Sequence, residues 1–152
     1  LQHWQRDTTK IKTKKMGRIL SIDFGSKRTG IAVTDPLQII ATGLTTMHTK
    51  DLFDFLTEYF KTEDVDKVII GMPKSLDGSD THATPLVKAF MNRYRKLFTI
   101  PIETVDETYT SKLAVRALIE SGVKKKDRRN NKGLIDEMAA TIMLKDYMGH
   151  HY

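Results

Sequence analysis

At 152 residues, with 39% hydrophobic and 29% charged side chains, the chain has the composition of an ordinary globular protein large enough for one core of helices on a sheet. No apolar run approaches the roughly 18 residues of a membrane span, no charged leader with a cleavage site is visible, and cysteine is absent; a cytoplasmic protein is expected, without disulfides, thiolate zinc or a cysteine nucleophile. The net charge of +6 is uneven: residues 1–15 hold Arg6, Lys10, Lys12, Lys14 and Lys15 against Asp7, and a second cluster sets Lys124, Lys125, Lys126, Arg128, Arg129 and Lys132 against Asp127 alone.

Residues 1–15 show no periodicity and are expected to stand outside the fold as a disordered or non-native basic extension, with Met16 as the natural start. If native, this arm is a nucleic-acid contact. Ile19, Leu20 and Ile22 then read as a buried strand, Gly25 and Gly30 permit a tight reversal, and Ile31 to Val33 form the returning strand. Thr42 to His48 predict a third strand, and Leu52, Phe53, Leu56, Tyr59 and Phe60 recur at helical spacing. Val68-Ile69-Ile70-Gly71 reads as a strand buried on both faces. A loop rich in turn residues follows to Asp80, and a helix starts with Thr84 as N-cap and Pro85 in its first turn. Its apolar stripe runs through Leu86, Val87, Phe90, Met91, Tyr94, Leu97 and Phe98. Ile102 to Asp106 predict a fifth strand, Thr110 to Ser121 a helix, 124–132 a basic loop, and Leu134 to Met148 the last helix. The order predicts an α/β fold: one domain over 16–152 with a five-stranded mixed sheet flanked by helices.

Three acidic positions become interesting in this frame. Asp23 ends the first strand, Asp106-Glu107 end the fifth, and Asp136-Glu137 open the last helix. If strands one and five run side by side, both tips lie at one sheet edge, where ligands of open sheets gather. At about 100° per residue, the stripe of the last helix centres on Leu134, Ile135, Met138, Ala139 and Ile142, which sets Asp136 at its border and turns Glu137 toward solvent. Converging carboxylates repel unless a cation lies between them. Hard oxygen ligands suit Mg²⁺ or Mn²⁺, and such ions activate water against phosphodiesters. Lys27 and Arg28, four and five residues past Asp23, are within reach of a scissile phosphate, and the basic segment 124–132 suits the flanking backbone. For both groups a solvated surface is the plainer alternative.

Four blocks carry a family resemblance: Ile22-Asp23-Phe24-Gly25-Ser26-Lys27-Arg28-Thr29-Gly30, the loop from Gly71-Met72-Pro73 to Asp77-Gly78-Ser79, Asp106-Glu107, and Gly133-Leu134-Ile135-Asp136-Glu137-Met138-Ala139-Ala140. From Met16 to Tyr147 the chain resembles the YqgF/RuvX family of RNase H-like proteins, described as Holliday junction resolvases and as nucleases maturing the 5′ end of pre-16S rRNA. The resemblance implies an RNase H-like fold, hydrolysis with Mg²⁺ or Mn²⁺, and Asp23, Glu107 and Asp136 as catalytic, metal-binding acids. It implies nucleic acid as partner, either precursor rRNA or branched DNA, with ribosomal particles as a further partner and a monomer or homodimer as the working unit. Thr108 stands where the family commonly has an Arg, which removes one phosphate contact.

Other chemistry fits less well. His3, His48, His82, His150 and His151 show no ligand spacing, and Ser26, Ser75, Ser79 and Ser111 lack a nucleophile motif. Asp23-Phe24-Gly25-Ser26 also resembles the phosphate loop of actin-like kinases, but those need two such domains and this chain has no Walker loop. A non-catalytic RNA- or ribosome-binding module is the alternative of a different class.

Overall fold

The computed structural model describes residues 16–73, 80–106, 110–130 and 132–149, with backbone alone for 110–113 and 128–130. Residues 1–15, 74–79, 107–109, 131 and 150–152 lie outside this description. Five strands form one sheet: β1 (Arg18–Phe24), β2 (Arg28–Thr34), β3 (Ala41–His48), β4 (Val65–Met72) and β5 (Ile102–Asp106), in the order β3-β2-β1-β4-β5. The first three are antiparallel, whereas β4 runs parallel to both β1 and β5. The sheet is therefore mixed, as the element order predicts.

The expected adjacency of β1 and β5 is not observed, because β4 lies between them. The reason is burial. Val68, Ile69 and Ile70 are covered on both faces and take the centre, while Ile102-Glu103-Thr104-Val105-Asp106 buries only Ile102 and suits an edge. The two C-terminal tips still point the same way, since each strand is parallel to β4.

The described residues hold five helices: α1 (Leu52–Thr62), entered through a 3-10 turn at Thr49–Asp51, α2 (Thr84–Leu97), α3 (Thr110–Glu120), α4 (Lys125–Asn130) and α5 (Gly133–Tyr147). On one face, Leu20, Ile22, Ile31, Val68 and Ile70 pack against Leu52 and Leu56 of α1 and Val87, Phe90, Met91 and Tyr94 of α2. On the other, Ile19, Ala32 and Ile69 meet Ala140 and Leu144 of α5, whose far side holds Ala139 and Ile142 against Ala114 of α3.

Helix α5 is thus sandwiched between the sheet and α3. The expected single apolar stripe is replaced by burial of the whole run Ala139–Leu144, because two partners need two apolar faces. Two further boundaries differ. Thr84 is the first helical residue, after Ala83, and its hydroxyl donates to the Pro73 carbonyl at 3.0 Å, tying the helix start to the end of β4. The basic segment is not wholly a loop, since Lys125 to Asn130 close a short helix.

Candidate active site

Strand β1 alternates its side chains between faces, so Ser21 and Asp23 point to the α5 side while Leu20, Ile22 and Phe24 point to α1 and α2. Asp23 is only 8% exposed. Its antiparallel partner is Gly30, and directly opposed residues share a face at about 4.5–5.5 Å between α-carbons. A β-carbon on Gly30 would overlap the main-chain carbonyl of Asp136, so only glycine lets the first turn of α5 descend onto β2 at this point. Asp136 is consequently carried to the position next to Asp23 across the ladder.

Polar anchors fix the helix there. The Thr46 hydroxyl of β3 donates to the Gly133 carbonyl at 2.7 Å, and the Ser21 hydroxyl of β1 donates to the Ala140 carbonyl at 2.9 Å. A second glycine, Gly43, leaves room for the side chain of Glu137 over β3. Glu137 is therefore half-buried against the sheet rather than turned to solvent, correcting the helical-wheel expectation. The wheel assumed one buried face; contact with β3 adds another.

The Asp136 carboxylate accepts a hydrogen bond from Arg28 Nε at 2.8 Å, with 41% and 21% of the two side chains exposed. Lys27 is exposed at the crest of the β1–β2 turn. That turn is braced from outside: Thr49 donates its main-chain N–H to the Lys27 carbonyl at 2.9 Å and exchanges a hydroxyl hydrogen bond with Thr29 at 2.9 Å. In β5, Asp106 pairs in register with Met72 of β4 and is exposed, while Glu107, the next residue, lies outside the described residues. Lys124, Lys125, Lys126 and Lys132 are exposed on and around α4; the side chains of Arg128 and Arg129 lie outside the description. Sequence reasoning missed the positioning residues Gly30, Ser21 and Thr46. Gly30 was visible only as a turn residue, and its packing role depends on a helix more than 100 positions away.

Among the described residues, no group of three His, Cys, Asp or Glu side chains is placed to hold a metal ion. The pair that is described, Asp23 and Asp136, offers hard carboxylate oxygens from two rigid elements at one end of the sheet, and the Arg28 guanidinium balances the charge of Asp136. Such a donor set fits Mg²⁺ or Mn²⁺.

A mixed sheet of order β3-β2-β1-β4-β5, with an acid at the tip of its central antiparallel pair and another on a helix laid over it, defines an RNase H-like protein. A crystal structure of the Fowlpox virus resolvase with its substrate Holliday junction DNA shares this fold, with a TM-score of 0.55 over 87% of this chain and 97% of that one at 13% identity. The chain belongs to the RuvX family, described as Holliday junction resolvase, whose family model matches residues 17–150. Among curated relatives, proteins named "Putative pre-16S rRNA nuclease" are 51% identical in Flavobacterium johnsoniae and 49% identical in Bacteroides fragilis, each over 134 residues, 88% of this chain and 96% of the relative.

Proposed function

We propose that the chain is a metal-dependent endonuclease hydrolysing phosphodiesters of structured nucleic acid, with the 5′ end of precursor 16S rRNA as its substrate. The observation that carries this reading is the junction of Asp23, Gly30 and Asp136, which brings two carboxylates from opposite ends of the chain to one edge of the sheet. Relatives of about half identity over nearly their whole length bear the name of that activity.

In this reading Asp23, Asp136 and Glu107 hold Mg²⁺ or Mn²⁺. When bound, the metal supplies an activated water and stabilisation of the leaving oxygen. Everything else belongs to the chain. Arg28 balances the charge of Asp136 and, with Lys27 on the turn crest, draws the phosphodiester onto the acidic edge; burial of Asp23 limits its motion and keeps bulk water back. The basic segment with Lys124, Lys125, Lys126, Arg128, Arg129 and Lys132 grips the backbone beyond the cut through those of its cations that share one face.

The test is cleavage of a pre-16S leader by wild-type protein in Mg²⁺ or Mn²⁺, with Asp23→Asn, Glu107→Gln and Asp136→Asn each abolishing turnover without unfolding. Cutting at the wild-type rate by any one variant removes that acid from the reaction, and full activity in excess EDTA refutes the metal requirement. A second reading, resolution of Holliday junctions, is favoured by the family description. A four-way junction assayed beside the leader separates the two, and binding of both without cleavage identifies a non-catalytic module.

A further inference from the structure

Phe24 follows Asp23 in β1 and leaves the strand on the opposite face, toward a cleft of about 450 Å³ that opens at the same sheet edge. The cleft has an aromatic floor and two walls. The floor is Phe24 and the buried Phe90, whose ring centroids lie 5.1 Å apart. One wall is Thr49 and Lys50 with Phe53 of α1; the other is Leu86, Ala89 and Arg93 of α2. Leu86 is 46% exposed although Val87, Phe90, Met91 and Tyr94 of the same stripe are buried. The Arg93 guanidinium lies over the Phe53 ring, 4.2 Å from its centroid, so a cation is already held against the cleft's aromatic lining by packing.

We propose that this cleft receives one unstacked base of the nucleic-acid strand being cut. An apolar slot alone would accept many occupants, but two features select this one. The volume lies within the range of small-ligand sites, and the rim cations Lys50 and Arg93 match a ligand whose flat, uncharged face is attached to phosphates. The slot is also continuous with the acidic edge: it is lined by Ser26, on the same turn as Lys27, and by Phe24, whose α-carbon is about 3.8 Å from that of Asp23. A strand with its phosphate at Asp23 crosses the β1–β2 turn and delivers a neighbouring base to the Phe24 side. This assigns a selectivity to the site: the strand must be unpaired, or readily unpaired, beside the scissile phosphate. The proposal rests on the nuclease reading for the place of the phosphate, and the base slot is tested separately from cleavage.

The experiment uses the full chain in EDTA, to prevent turnover, with 12-nucleotide single strands in which 2-aminopurine occupies successive positions. Stacking in the cleft changes the fluorescence severalfold at one or two adjacent positions and leaves the others level. Leu86→Gln and Ala89→Gln, both at exposed positions lining the cleft and neither changing the charge, weaken binding of that strand about 5- to 150-fold, the span of one stacked base, while the melting temperature and the affinity for a strand abasic at that position stay as in wild type. A fluorescence change that is uniform along the strand, or variants that weaken the abasic strand equally, overturns the proposal. Cleavage of the pre-16S leader and of the four-way junction in Mg²⁺ or Mn²⁺ is measured in parallel. Localised fluorescence change without cleavage sinks the nuclease reading and leaves the slot; cleavage with uniform fluorescence sinks the slot alone.

Discussion

Arg28 and Asp136 are 108 positions apart in the chain and meet at 2.8 Å, the guanidinium Nε donating to the carboxylate. Both side chains are partly exposed, so solvent screens the pair and its contribution to stability is at most about 1 kcal/mol. Its value is local: it holds the Asp136 carboxylate in place and sets a positive charge beside it. In Arg28→Gln the melting temperature should move by only a few degrees. The KM for nucleic acid should rise roughly tenfold, because a phosphate-attracting charge is gone, while half-maximal activity should need less Mg²⁺, because one competitor for Asp136 is gone. A KM and metal requirement both equal to wild type would show that Arg28 is a surface residue.

Gly30→Ala should do more damage than any exposed charge change. The added methyl has no space against the Asp136 carbonyl, and a backbone atom cannot rotate away as a side-chain end can. Helix α5 must lift, at about 1–3 kcal/mol. A shift near 1 Å in a reacting group costs about a hundredfold in rate, so urea denaturation should show a lower midpoint and the cleavage rate should fall by about that factor. A stable, fully active variant would mean that α5 does not need its close seat.

Most of the scaffold was legible from the chain. Helices α1 and α2 show the 3.6 period, the central strands stand out as short apolar runs, and the turn at Gly25 needs only local chemistry. What failed was pairwise and non-local. The separation of β1 from β5 depends on which strand is most buried on both faces, and the relevant contrast lies between Val68-Ile69-Ile70 and Glu103-Thr104. Glu137 was sent to solvent because a helical wheel knows one neighbour, whereas α5 has three. Phe53 and Phe90 read only as members of helical stripes and Phe24 as part of the Asp23 block, and only their assembly leaves an open cleft between them; nothing in the sequence pairs Arg93 with the Phe53 ring, which lies on another helix. Asp23 and Asp136 follow from a strand tip and helical phase, Glu107 over Asp106 from the family resemblance alone, and the backbone of Asp136 reaches the partner of Asp23 through Gly30, whose packing role a turn motif does not reveal.

The basic segment should act less strongly than its charge suggests. Lys125 and Lys126 lie on α4, where successive residues are rotated by about 100°, and Lys124 precedes it, so one phosphate strand cannot meet all three at once. Replacing Lys124, Lys125 and Lys126 by Gln should lower the slope of log affinity against log salt by about one to two, not three. An unchanged slope would mark the segment as solvated.

Away from the acidic edge, Asp35 organises the β2–β3 turn by accepting main-chain N–H groups from Ile40 at 2.7 Å, Ile39 at 2.8 Å and Leu37 at 3.1 Å. These bonds, that of Ile40 foremost, hold the Asp35 carboxyl below its ordinary pKa of 3.8. Folding therefore gains from the ionised form above the unfolded-state value, and the gain disappears as pH falls through the lowered one. Wild type should melt above Asp35→Asn at pH 7, and the gap should narrow below about pH 4. A gap independent of pH would show that charge plays no part in the turn.

The seat of Asp136 on α5 also has a consequence for synthesis. This helix follows every strand in chain order, yet it brings an acid to the tip of the first one. On the proposed assignment, a nascent chain still lacking α5 has β1 and β2 without Asp136, so the pair of acids is completed only after translation has passed residue 136. For a chain made by the very particle whose RNA its relatives are named for processing, the proposed cleavage is then withheld until the last helix exists.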